Sequence, residues 1–186
     1  MERREAIQYI SLLFGGTIVG GSAFLTGCKT NTGKQLAFTQ DDVAYLDEIA
    51  NTILPDTSSP GAKMAKVGQF MTVMLNDCYE EKDQKIFHTG MTTLNDLSKK
   101  TYDNSFVKLN DKQKHDLLVS VDEEQKKYSK DKKKEEPAHY FRMMKELTLL
   151  GYFTSEIGCT KARRYVETPG KFEGSIPYKK GDKAWS

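Results

Sequence analysis

Three thiols and three imidazoles are the strongest nucleophiles and metal ligands that this 186-residue sequence offers. They are Cys28, Cys78, Cys159, His88, His115 and His139, and none stands at a spacing that builds a site. There is no CxxC, no CxxCH, no GxGxxG, no Walker loop and no HExxH. A Cys–His nucleophile pair would have to join Cys159 to His139. These two fall near opposite ends of one expected helix, about 30 Å apart at the α-helical rise, beyond contact if that helix is continuous. The neighbouring acids Asp41 and Asp42 read as first-turn helix charges rather than an acid–base pair. An enzyme needs polar groups that converge in a pocket, and these are scattered. The chain is expected to be non-catalytic, with no cofactor and no metal of its own.

Cys28 has a different kind of chemistry. It follows Leu25-Thr26-Gly27, at the end of a stretch from Ala6 to Gly27 that carries no charge. Arg3 and Arg4 precede that stretch. A positive start, an apolar middle and small residues before a cut form the layout of an export signal. Leu-Thr-Gly-Cys resembles the bacterial lipobox, in which the thiol takes a lipid and becomes the first mature residue. A membrane-spanning helix wants about 20 predominantly apolar residues. Against that stand Gly15, Gly16, Gly20 and Gly21, with the polar Gln8, Ser11, Thr17 and Ser22. The paired glycines also argue against a buried core helix. Residues 1–27 are therefore expected to be a lipoprotein signal peptide, and Cys28 the lipid attachment site. The Arg3-Arg4 pair resembles a twin-arginine signal, with Glu2 where Ser or Thr usually stands. These features imply a lipid-anchored protein on the periplasmic side of a bacterial membrane.

Cleavage before Cys28 would leave 159 residues, enough for one domain with a core. A formal net charge of +2, with both signs dispersed, does not suit nucleic acid as a partner. Mean hydropathy of −0.61 suits a soluble body. An oxidising compartment permits a disulfide between Cys78 and Cys159, but two cysteines do not require one, and buried free thiols are the default reading.

Residues 28–37 form a polar tether, and 38–186 an all-α domain of about five helices with an irregular C-terminal tail. The first helix opens at Phe38 with Thr39 as N-cap, and Pro55 ends it. Phe38 and Val43 stand as a hydrophobic staple. After the turn residues 56–61, a second helix is expected from Ala62, with Val67, Phe70, Met71, Met74, Leu75 and Cys78 inward. Its methionines read as core filling. The third spans 82–99 despite Gly90, with His88 beside its apolar face, and Phe106 plugs the core from a loop over 101–110. Asn110 and Gln113 have capping-box spacing for a fourth helix, expected to fade into the charged run 122–136. Pro137 suits the first position of a last helix. There Tyr140, Phe141, Met144 and Leu147 belong to an apolar arc wide enough for a central or partner-covered helix. At its end, Glu156 would need Arg163 or Arg164 if buried. From Cys159 onward no period holds. Tyr165, Phe172, Tyr178 and Trp185 are aromatic anchors of an extended tail, packed on its own domain or on another protein.

The run Leu147–Gly158 (LTLLGYFTSEIG), followed by Pro169-Gly170 and a terminal aromatic at Trp185, resembles the gluconate 2-dehydrogenase subunit 3 family. So does the stretch from Ile49 to Met71, with Ile53-Leu54-Pro55, a short loop and Pro60-Gly61-Ala62. The resemblance implies the small subunit of a periplasmic sugar or polyol dehydrogenase. Its large subunit would be a flavoprotein of the glucose–methanol–choline type holding FAD, and a cytochrome c subunit could take the electrons. The small subunit would escort the folded flavoprotein through the twin-arginine route and stay bound. On this reading Tyr140, Phe141, Met144, Leu147, Tyr152, Phe153, Ile157 and Trp185 are candidates for the partner interface. The competing reading is a stand-alone, lipid-anchored scaffold, which predicts a last helix wholly covered by its own chain.

Overall fold

Thr39 and Asp42 start the fold by local chemistry. The Thr39 hydroxyl accepts the Asp42 N–H at 3.2 Å, and the Asp42 carboxylate accepts the Thr39 N–H at 2.8 Å. This reciprocal box satisfies donors that a helix start would leave open. The structure is a computed structural model and describes residues 37–168 and 170–185. The expectations for Arg3, Arg4, Cys28, the signal 1–27 and most of the tether lie outside the described residues, as does Pro169.

Helix α1 runs Gln40–Ile53 and buries Tyr45, Leu46, Ile49 and Ala50. Helix α2 is Val67–Cys78, five residues later than Ala62. The intervening residues form turns that end in Lys66, at φ 54° in the left-handed region, where no α-helix continues. Lys66 offers no side-chain cap. Instead the Asp47 carboxylate of α1 accepts the Gly68 N–H at 2.7 Å, so one helix caps the next. A Cβ on Gly68 would lie 2.5 Å from the Val43 carbonyl oxygen, and only glycine permits this crossing.

Helix α3, Glu81–Tyr102, runs three residues past the expected end and is stopped by Asp103 at φ 56°. Gly90 has a packing reason: a Cβ there would sit 2.3 Å from Tyr140 Cγ, so the ring lies on bare backbone. Phe106 opens a single 3₁₀ turn, Phe106–Lys108, and is fully buried, its ring edge-on to Tyr45 at 5.7 Å. The Asn95 side chain accepts the Phe106 N–H at 3.1 Å and fixes the plug.

The Asn110–Gln113 capping box opens α4, Asp111–Asp131. The helix does not fade at Asp122. An i,i+4 pair between Asp122 and Lys126 (2.7 Å) supports its continuation, and Gln125 packs inward. The last helix, α5, is Tyr140–Phe153 and starts at His139 rather than Pro137. His139 Nδ1 accepts the Phe141 N–H at 3.2 Å, which makes the imidazole the N-cap. Beyond Ser155 a π-helical turn, Gly158–Ala162, ends regular structure.

Helix α5 touches α1, α2, α3 and α4 and buries Phe141, Met143, Met144, Leu147 and Tyr152 among them. Two acids tie α4 to this assembly. Glu48 of α1 accepts from Lys114 at 2.5 Å and also from Lys63. Asp122 accepts from Lys145 of α5 at 2.5 Å. Burial pulls both carboxyls up, but their lysine partners outweigh it and hold them below the ordinary range. The described residues contain no strand, and no helix among them is long and apolar enough to cross a membrane.

The two unusual caps can each be tested. Burial raises the Asp47 carboxyl above its ordinary value, with the Gly68 hydrogen bond and Lys63 opposing, and an amide oxygen at the same place could accept the same N–H. Asp47→Ala should cost about 1–2 kcal/mol by chemical denaturation, whereas Asp47→Asn should retain most of that stability. Burial lowers His139, with Glu124 opposing. The unfolded chain then protonates first. This contribution is complete above the unfolded imidazole pKa and is lost as pH falls from there through the lower folded value. Stability measured between about pH 7.5 and pH 5 should decline less in His139→Asn than in wild type.

Candidate docking surface

Among the described residues, the thiols and imidazoles stand in separate surroundings. His88 lines a surface groove of about 340 Å³ with Asp41, Asp42 and Asp96. His115 is exposed beside Asp116 at 3.7 Å. His139 is committed to its cap and is flanked by the rings of Tyr128 and Tyr140. Cys78 and Cys159 are both free thiols. Cys78 is exposed near Met74 and Cys159 is half-buried with Sγ donating to the Phe153 carbonyl at 3.3 Å, so neither is the buried thiol that composition suggested. Among the described residues, no three His, Cys, Asp or Glu side chains converge on a point that could hold a metal ion.

The candidate partner interface is redistributed. Phe141, Met144, Leu147 and Tyr152 are buried inside this chain. Tyr140 is half-buried over Gly90, and Phe153 and Ile157 pack partly against the core. Trp185 is the one that remains largely available, at 53 % exposed. The difference has a physical reason. A wide apolar arc on a helix says that many neighbours cover it, not whether they belong to the same chain. The outer side of α5 does leave Leu149 and Leu150 exposed, so its own chain does not cover the helix wholly.

Apolar surface is concentrated instead in the segment after α5. Every described residue from Tyr165 to Trp185 is exposed, including Phe172 at 96 % and Tyr178 at 76 %. The segment does not trail away. Its two ends are drawn together where Arg164 N donates to the Ala184 carbonyl at 2.8 Å and Arg164 Nε to the Lys183 carbonyl at 2.9 Å. The Arg164 guanidinium also lies over the Trp185 ring at 4.5 Å. Lys183 Nζ reaches back to the Lys161 carbonyl, and Arg163 covers the Phe153 ring at 4.2 Å. The result is an aromatic-bearing arm, closed at its base against the end of α5.

Two further expectations change here. Glu156 is exposed, so it carries no burial cost, and Arg163 turns to Phe153 rather than serving it. Most aromatic anchors of the tail are not packed on the domain. Sequence reasoning finds the aromatics and misses the closure, because the Arg164–Trp185 contact spans a stretch without periodicity and has no local signal.

No curated protein and no solved structure gives a significant match to this chain. The family model for gluconate 2-dehydrogenase subunit 3 matches residues 40–170, from the first residue of α1 to the beginning of the arm. With all five helices inside that match, the chain belongs to the gluconate 2-dehydrogenase subunit 3 family.

Proposed function

We propose that this chain is a non-catalytic accessory subunit of a periplasmic FAD-dependent sugar dehydrogenase. The observation that carries the proposal is the family match across the whole helical body. Two features of the chain support it. Asp47, His139, Glu48 and Asp122 are each occupied in a helix cap or an ion pair. Its exposed aromatics are held on an ordered arm, which suits a protein that works by binding another.

On this reading the FAD and the sugar site belong to a large flavoprotein of the glucose–methanol–choline type, with a cytochrome c as the next electron carrier. The small subunit accompanies the folded flavoprotein in export through Arg3 and Arg4. It then holds the complex at the membrane through lipid on Cys28. A folded flavoprotein needs a route that accepts folded cargo, and a signal on a bound escort meets that need.

The first test is recovery of the tagged full-length chain from its native membranes in mild detergent, read by absorbance. A co-purifying large chain with flavin bands is expected, and a colourless single chain would overturn the proposal. Fractionation of variant cells separates the two ancillary roles. Cys28→Ala should move dehydrogenase activity from membrane to soluble periplasm, and an activity that stays on the membrane would refute the lipid anchor. Arg3→Lys with Arg4→Lys should leave it in the cytoplasm; normal periplasmic activity would remove the escort role.

A further inference from the structure

The connection between α4 and α5 is held differently from the helices it joins. No residue from 131 to 140 is buried, whereas Phe141 and Met143 just beyond it are enclosed in the core. Ala138 and Tyr140 pack against that core in part. Otherwise polar contacts fasten the segment. Tyr128 of α4 donates its hydroxyl to the Pro137 carbonyl at 3.1 Å. Lys132 Nζ donates to the Glu136 carbonyl at 2.8 Å, and the Glu136 carboxylate accepts the Lys133 N–H at 3.1 Å. A segment with few buried apolar contacts opens locally at a lower cost than the core beside it.

His139 ties this segment to the helices around it. Its ring lies between Tyr128 of α4, at 5.6 Å, and Tyr140 of α5, at 4.4 Å. Tyr140 in turn lies on α3 at Gly90, where there is no side chain to carry charge. His139 Nδ1 accepts the Phe141 N–H, and a ring nitrogen accepts only while it is unprotonated. An imidazolium would lose this cap and place a positive charge at a helix end that favours a negative one. The charged groups on the α4 side are Glu124, Lys127, Asp131, Lys132 and Glu136, which line the surface hollow beside Tyr128. Burial lowers the imidazole, with Glu124 opposing. Tyr140, pushed up to about 12 chiefly by burial, stays uncharged at neutral and mildly acidic pH.

We propose that His139 is the pin of an acid-released latch: its protonation frees residues 132–140 from α3 and α4, while Phe141 and the core residues of α5 stay seated. One proton removes the cap and disturbs the ring stack together, and no buried side chain within the segment resists. Release uncovers the Tyr128 ring and the bare α3 backbone at Gly90. The opened segment takes up the proton first, so the latch is fully closed above the ordinary imidazole pKa and loosens as pH falls from there through the lower closed-state value.

The test is amide hydrogen exchange by NMR on the full chain in mild detergent, between about pH 7.5 and about pH 5. Protection factors divide out the intrinsic pH dependence of exchange. The reporters are the amides of Phe141, Arg142 and Met143, all of which donate to His139. In wild type they should lose protection about tenfold across this range, the scale of losing one N-cap, while the amides of Leu46 and Leu147 keep theirs. His139→Asn, which can cap without titrating, should hold protection constant. Glu124→Gln removes a charge that favours the imidazolium and should deepen the loss. Constant protection in wild type would overturn the latch, and so would an equal loss in His139→Asn. A loss shared equally by Leu46 and Leu147 would overturn it as well, because the whole domain would then be opening.

Discussion

The hydrogen bond from Gly68 N–H to the Asp47 carboxylate, with the close crossing of α1 and α2 that surrounds it, is the constraint on which the other helices depend. Helix α2 has no cap of its own, since Lys66 is left-handed and its side chain does not reach back. An uncapped start leaves backbone donors without partners, at a cost comparable to a lost hydrogen bond for each one removed from water. Asp47 supplies the missing acceptor from the neighbouring helix. It can do so only because residue 68 lacks a Cβ, which lets the backbones approach. With α2 set on α1, a concave apolar face is formed from Leu46, Ile49, Val67, Met71 and Leu75. The remaining helices close over this face.

Helix α5 fills that space, and its position explains both its composition and its contacts. It touches all four other helices, so it needs apolar residues on several sides. Tyr140 fits only because Gly90 leaves α3 bare at the contact. Lys145 of α5 and Lys114 of α4 reach acids on neighbouring helices where the core meets solvent, so the charged rim fixes the seating of α4. These pairs are partly desolvated, and loss of one member would strand the other's charge. Removing both is a milder change.

Burying α5 in this way decides where function can lie. Once Phe141, Met144, Leu147 and Tyr152 are enclosed, little apolar surface is left on the helix for anything outside the chain. What remains is at its outer edge, Leu149 and Leu150, and on the arm that its C-terminal end supports. The body acts as a rigid mount, and the arm is the part that faces outward.

Much of the fold is legible from sequence, wherever the cause is local. The Thr39 cap, the Asn110–Gln113 box, the plug at Phe106 and the five helical periods are all readable because each depends on residues close along the chain. Differences arise where the deciding partner is distant in sequence. Composition points to Ala62 as a helix start, but the start is fixed by Asp47. Pro137 suits a first helical position, but His139 holds the cap between two aromatic rings. The charged run 122–136 resembles a fading helix end, but α4 is carried through to Asp131 with Asp122 bound to Lys145 of α5. For the candidate interface, four of the eight residues named from sequence are enclosed by their own chain, because periodicity reports that a side chain will be covered and not by what. Taken alone, then, the sequence determined the all-α class, the caps at Thr39 and Asn110, and the family. Tertiary structure decided which apolar residues are enclosed and which are displayed, because that depends on contacts such as Arg164 with Trp185, for which no local pattern exists.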